Sequence, residues 1–301
     1  MALSGPIVST DNRYGKAENR IVRFYKERTR HEIRDVNVST TLRGDFEAAY
    51  TDGDQSHVLP TDTQKHTAFV YAKKPGLDTI EEYAIALAKH FVETVAPVAS
   101  ARIDVDCYGW QRVSIDGAEH DHTWVRQGPE ARTAAVTVAG EGGEQSRWVI
   151  GGIKDLVLLK STGSEFADFL TDEYTTLAPT RDRVLASSLV VQWRFAEIGG
   201  FDWDEVYEGI RATLLELFAT TYSKALQQTL HAMGTAVLER FPMLAEIRLA
   251  APNKHHFEYD LAQFGIENSG EVFWAADRPY GSIHATLARA DAPDAGIAWL
   301  P

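Results

Sequence analysis

Residues 126–133 read RQGPEART. Gly128 and Pro129 interrupt an alternating run, because glycine is conformationally loose and proline lacks an N–H. Upstream of this stretch the order of elements is strands, helices, strands. Downstream the same order returns. The expected boundary therefore lies here, with a first unit over 1–130 and a second over 131–301. No residue-level repeat joins the halves, only the repeated order. The expected fold class is α+β: two tandem units, each an antiparallel sheet with helices on one face. Such a small sheet keeps open edges and an uncovered face, so it is expected to close against other copies, as in a barrel.

The strands come from period-two alternation. ENRIVRFYKE begins near Glu18, ARIDVDCYGW at Ala101, LVVQWRF at Leu189 and SIHATLAR at Ser282. Four stretches have helical spacing. The first follows Thr61 and Asp62, a plausible cap, and runs through Ala68 and Phe69. The second follows Asp78, with Glu81 completing a capping box and Ile80, Tyr83, Leu87, Phe91 and Val95 as its stripe. The third follows Asp202, with Val206, Ile210, Leu214 and Leu217 on one face. The fourth carries Tyr222, Leu226, Leu230, Met233 and Val237. Helix breaking is weak around Thr220 and Ser223, so the last two stretches also fit one bent helix. AGEGGEQ, from Ala139, reads as a hairpin turn.

Composition narrows the function. The net charge of −13 argues against nucleic acid and anionic lipid as partners, though a local arginine still suits a small anion. The one cysteine, Cys107, excludes an internal disulfide and a cysteine-based zinc site, and reads as a small buried hydrophobe. No secretory signal, membrane-length apolar run or Ser-Lys-Leu address is present, so a soluble cytoplasmic protein is expected. There is no HExxH, GxGxxG, phosphate loop or GxSxG. His120 and His122 share a strand face, but surface histidines are the simpler reading.

What remains is a set of specific strings. They are LVLLKSTGSEFADFLTDEYTTLAPTRDR at 156–183, TDTQKHT from Thr61, YGKAENRIV from Tyr14, LQQTLHAM from Leu226 and PNKHHFEYDL from Pro252. Together they closely resemble the urate oxidase (uricase) family, whose members oxidise urate with molecular oxygen. The long string has the family's Lys-Ser-Thr, then Phe166, Phe169, Tyr174, Leu177 and Arg183 at the family's spacing. VQWRF is similar to the family's Trp-containing strand. The resemblance implies the tunnelling fold (T-fold), with two units per chain and four chains whose sheets form a β-barrel tunnel. It implies urate and O2 as reactants, 5-hydroxyisourate and hydrogen peroxide as products, and neither metal nor organic cofactor.

The resemblance also implies residue roles. Phe166 stacks on the flat substrate, and Arg183 clamps it with parallel donors. Gln227 reads the opposite edge, since an amide both donates and accepts. The backbone N–H groups of Leu226 and Asp62 are further donors. Lys16 and Thr61 form the catalytic pair, a desolvated lysine taking the threonine's proton. Thr61 also touches substrate, and Thr61 and Asp62 come from a neighbouring subunit. Asn253 holds oxygen, then water, over the ring. His66 stands where many relatives have asparagine. Without the resemblance, spacing alone favours Phe166 as a core aromatic and Arg183 as a surface ion pair, and Gln227 cannot be told from Gln228.

In KHHFEY, period two puts His255, Phe257 and Tyr259 on one face and Lys254, His256 and Glu258 on the other. Adjacent strand histidines point apart and cannot chelate one ion. The face of His255 reads as the buried one, behind a Pro-Asn-Lys turn, and the resemblance makes it the relay partner of Lys16 and Thr61. A T-fold pterin enzyme and a non-catalytic purine-binding protein are the alternatives. The first calls for an anchoring glutamate and, for a cyclohydrolase, Cys and His metal ligands.

Overall fold

The computed structural model describes residues 5–140 and 144–301. The fold is α+β, as expected, and the chain divides into two compact units. The first gathers Met1–Gln127, Arg132–Ile150 and Ala295–Pro301; the second gathers Gly128–Ala131 and Gly151–Asp294. Residues 126–133 lie inside one long strand, β4 (Ala118–Ala139). Gly128 and Pro129 are exposed there and do not end the strand.

The first unit runs β1 (Tyr14–Tyr25), β2 (Glu32–Gly44), α1 (Glu47–Thr51), α2 (Thr61–Lys73), α3 (Ile80–Thr94), β3 (Val98–Ile115) and then β4. β1 and β3 both pair antiparallel with β2. Val36, Val38 and Leu42 of β2 are fully buried, as are Ala84, Leu87 and Phe91 of α3. Ile80, Tyr83, Leu87 and Phe91 of the expected stripe are buried on α3, while Val95, its last expected member, is the half-buried C-cap. The N-cap of α3 sits one residue later than expected: Thr79 Oγ1 accepts from the Glu82 N–H at 3.4 Å. Glu81 is instead buried and paired with Arg132 at 2.8 Å, so it is not free to complete a capping box. Pro60, not Thr61, is the N-cap of α2, and Thr61 is its first helical residue. A proline φ is already set for helix entry. Gln64, Ala68 and Ala72 form its buried stripe, while Phe69 is exposed. Cys107 is only half-buried, and that burial pushes its thiol up.

The second unit contains β5 (Ser146–Lys160) from Gly151 onward, β6 (Leu185–Phe195), α4 (Trp203–Thr220), α5 (Leu226–Arg240), β7 (Leu244–Glu258) and β8 (Phe273–Ala288). β6 and β8 both pair antiparallel with β7. Asp202 caps α4 as expected, its carboxylate accepting from the N–H groups of Asp204 and Glu205. Phe218, rather than Leu217, takes the last buried place on α4. α4 and α5 are separate helices, and Tyr222 lies between them rather than on α5. The break has a cause: Ser223 forms a parallel bridge with Ser164, so its backbone is bonded elsewhere. Gly151 lies against the Trp193 indole, where an added Cβ would fall 2.4 Å from Nε1. Only glycine lets that strand carry the buried tryptophan.

β7 runs straight through Pro252, Asn253 and Lys254. The expected turn is instead a register shift between Asn253 and His255 in the pairing with β8. Phe257 and Tyr259 are exposed in the single chain, so the face expected to be buried is open. The stretch 139–145, expected as a hairpin turn, includes residues 141–143, which lie outside the described residues. Among the described residues no helix is long and apolar enough to cross a membrane.

Candidate active site

In the first unit, Lys16 lies on β1 with Thr40 of β2 opposite it. The register then breaks until Asn19, and Glu18 takes φ 57° at the bulge. Gly15 precedes it because the strands touch: an added Cβ would stand 1.7 Å from the Thr40 carbonyl oxygen. The Lys16 N–H donates to Thr40 Oγ1 at 3.1 Å. Thr40 Oγ1 donates to Gln64 Oε1 at 2.7 Å, and Gln64 Nε2 donates to the Leu59 carbonyl at 3.4 Å. Thr61, half-buried, and Asp62, exposed, form the first turn of α2 just beyond. The Asp62 carboxylate is bonded by Lys65, with His66 Nε2 at 3.4 Å. Lys65 chiefly holds the Asp62 carboxyl below its ordinary value, with lesser contributions from His66 and Lys16. Lys16 and the start of α2 are therefore neighbours.

In the second unit, Phe166 and Phe169 stack with centroids 4.9 Å apart, and the Arg183 guanidinium lies 5.4 Å from the Phe166 centroid. The Arg183 N–H donates to the Ser164 carbonyl at 2.9 Å, and its Nε to Ser164 Oγ at 3.3 Å. Burial lowers the pKa of Arg183, though a guanidinium remains charged. The Phe166 and Thr180 backbones exchange hydrogen bonds at 2.8 and 2.9 Å.

The same loop is fastened to the start of α5. Ser164 bridges Ser223, the Glu165 N–H donates to the Ser223 carbonyl at 2.8 Å, and Lys160 Nζ donates to the Thr221 carbonyl at 2.6 Å. Leu226 then heads α5, behind Ala225, which offers no side-chain cap. Its first N–H groups are left for a ligand or water. Gln227 and Gln228 are both exposed, but their situations differ. Gln228 Oε1 accepts from the Lys224 N–H at 3.0 Å, whereas among the described residues no such bond occupies Gln227.

On β7, Asn253 lies between Ser187 of β6 and Gly281 of β8. The His255 ring stacks on Phe257 with centroids 5.6 Å apart, as same-face neighbours should. Burial, and then the Arg183 charge, hold its imidazole below the ordinary 6.5. It is neutral near pH 7, and Arg183 is its electrostatic neighbour.

A profile of the uricase family matches residues 12–137 and 149–284. The chain is 47% identical to the uricase of Arthrobacter globiformis, over 94% of this chain and 90% of the relative. It is 36% identical to the uricase of Schizosaccharomyces pombe, over 92% of this chain and 96% of that one. A crystal structure of the Arthrobacter globiformis uricase superposes with a TM-score of 0.90 at 46% identity, covering 96% and 98% of the two chains.

The chain belongs to the uricase family. Its α+β units agree with the T-fold that the family resemblance implied.

Within the chain, Lys16 and the helix start carrying Thr61 and Asp62 are neighbours on the first unit. Phe166, Arg183, Leu226, Gln227, Asn253 and His255 belong to the second. Tyr174 and Leu177, quoted in the same motif, are exposed. His120 and His122 do share a face, with ring centroids 4.5 Å apart. Among the described residues no group of three or more His, Cys, Asp or Glu is gathered to hold a metal ion. Sequence reasoning gave no role to Thr40, Gln64, Ser164 or Ser223, all fully or nearly fully buried. Gln64 alone left a signal: it is the polar member of an otherwise apolar 64, 68, 72 stripe.

Proposed function

We propose that this protein oxidises urate with O2 and water, giving 5-hydroxyisourate and hydrogen peroxide. The observation that carries the reading is the partly buried Arg183 over Phe166, with an uncapped helix start and the Gln227 amide on the same loop assembly. A flat anion rich in carbonyl and N–H groups matches those features: an aromatic face, a fixed cation and donors on two edges. Phe166 stacks on it, Arg183 and the Leu226 N–H hold one side, and Gln227 holds the other. Asn253 holds O2, then the water that adds.

Lys16, Thr61 and His255 move the protons, and Thr61 and the Asp62 N–H also touch the substrate. The neutral His255 is fit to accept one. The electrons come from the urate anion itself, with neither metal nor organic cofactor in the reaction. Lys16 is tied to the helix of Thr61, so the three first-unit residues act as one piece. That piece is supplied by a neighbouring subunit of a homotetramer. The exposed Phe257, Tyr259 and Trp274 at one end of β7 and β8 suit such an assembly, being apolar surface that a lone chain leaves in water. The protein works in the cytoplasm, and its two tandem T-fold repeats, as distinct from the compact units, run over 1–130 and 131–301.

The test is an assay of demetallated protein with urate and O2, following peroxide. Peroxide release unaffected by chelators is expected. Inactive apoprotein that recovers with zinc or copper would refute the cofactor-free reading.

A further inference from the structure

We propose that Thr40 and Gln64 are positioning residues for Lys16, fixing its peptide against the helix start that carries Thr61. The inference rests on the reading of Lys16 and Thr61 as the proton-moving pair.

A bulged strand residue loses the ladder that would otherwise hold it. Lys16 stands at the opening of such a bulge, and side chains replace the ladder there. Its N–H goes to Thr40 Oγ1 at 3.1 Å, and its carbonyl accepts from Asn19 Nδ2 at 3.3 Å. Thr40 passes the connection on to Gln64 at 2.7 Å, and Gln64 to the Leu59 carbonyl, two residues before Thr61. Thr40 is 2% exposed and Gln64 is 0% exposed. Polar groups so deeply buried cost free energy unless every bond is made, and an apolar pair would fill the same space without that demand. The polar pair adds direction. A hydroxyl that accepts from one strand and donates to the helix sets the spacing between β1 and the start of α2. The reacting groups need that spacing, since a displacement of an ångström lowers a rate far more than it lowers affinity.

The experiment compares Thr40→Val, Thr40→Ser, Gln64→Leu, the double variant Thr40→Val/Gln64→Leu, and Lys16→Met in the full chain. It measures kcat, urate binding under nitrogen, and Tm. Thr40→Val and Gln64→Leu are expected to lower kcat on the order of tenfold while anaerobic urate binding holds. Thr40→Ser, which keeps the hydroxyl, restores kcat. The double variant regains part of the Tm, because neither side chain keeps an unpaired buried polar atom, although the Lys16 N–H and the Leu59 carbonyl still lose their partners; kcat stays low. Recovery of kcat together with Tm in the double variant would reduce the pair to packing and overturn the inference. Wild-type kcat in Thr40→Val beside an inactive Lys16→Met would overturn it alone. Full activity in Lys16→Met would remove the reading beneath it.

Discussion

In the first unit, Asp62 and His66 stand exposed on the opening turns of α2 beside the half-buried Lys65, and the order lies underneath, in the buried hydrogen bonds of Thr40 and Gln64. In the second unit, Phe166, Phe169 and Arg183 lean on one another, and the order lies in backbone bridges from Ser164 to Ser223 and Phe166 to Thr180. One half is a charged surface over a buried polar base. The other is an aromatic shelf with a partly desolvated cation. The first suits proton movement and the second suits a flat anion, so damage to each should appear in a different kinetic constant.

The largest effect is expected from Lys16→Met and Thr61→Ala. Each should lower kcat by roughly 10²–10⁴-fold, the span of a lost acid–base group, while urate titrated under nitrogen binds as before. Comparable losses of binding would erase the contrast between the halves. Next comes Arg183→Gln, which should weaken urate binding by about 1.5–3 kcal/mol, the worth of a hydrogen bond to a charged group. A calorimetric titration measures it, and unchanged affinity would take Arg183 out of the grip.

The same variant sharpens the pH behaviour. His255 has a folded pKa below 6.5 because of burial and Arg183. The unfolded chain therefore binds the extra proton first, so this group's stability contribution is complete above 6.5 and declines as pH falls below it. The acid limb of activity due to His255 should also fall below 6.5. Following the ring protons by NMR, Arg183→Gln should move the His255 titration upward. A titration that stays put would deny the coupling.

The smallest effect separates two neighbours. Gln227→Ala should raise KM by about 0.5–1.5 kcal/mol in free-energy terms and leave Tm unmoved. Gln228→Ala should do the reverse, keeping KM and losing about 0.5–1 kcal/mol of stability with its bond to the Lys224 N–H. Equal behaviour of the two would show that neither is a substrate contact.

Much of the fold was legible in residue spacing. The stripes of α3 and α4 follow the 3.6-residue period, and Asp202 caps where expected. Errors fell where a local signal was overruled by distant partners. Asp78 and Glu81 look like a capping box, but Glu81 is claimed by Arg132, far along the chain. Pro252 and Asn253 look like a turn, yet pairing on both sides keeps them in β7. Alternation showed that His255 and Phe257 share a face, but it could not show which face is covered, because that depends on what packs there. The candidate site was chosen through family resemblance rather than physics: an arginine or phenylalanine alone has too many ordinary uses. Thr40 and Ser223 were invisible, since a small polar residue reveals its partner only once the chain is folded.

The central claim is that the proton-moving half and the gripping half meet across two chains. Its most direct test is to co-express Lys16→Met and Arg183→Gln chains with different tags and isolate the mixed oligomers. They are assayed at a urate concentration where both parents are silent. In the mixed oligomer some sites join an intact first unit of one chain to an intact second unit of the other, and peroxide production should return. Purified mixed oligomers as inactive as their parents would contradict the account.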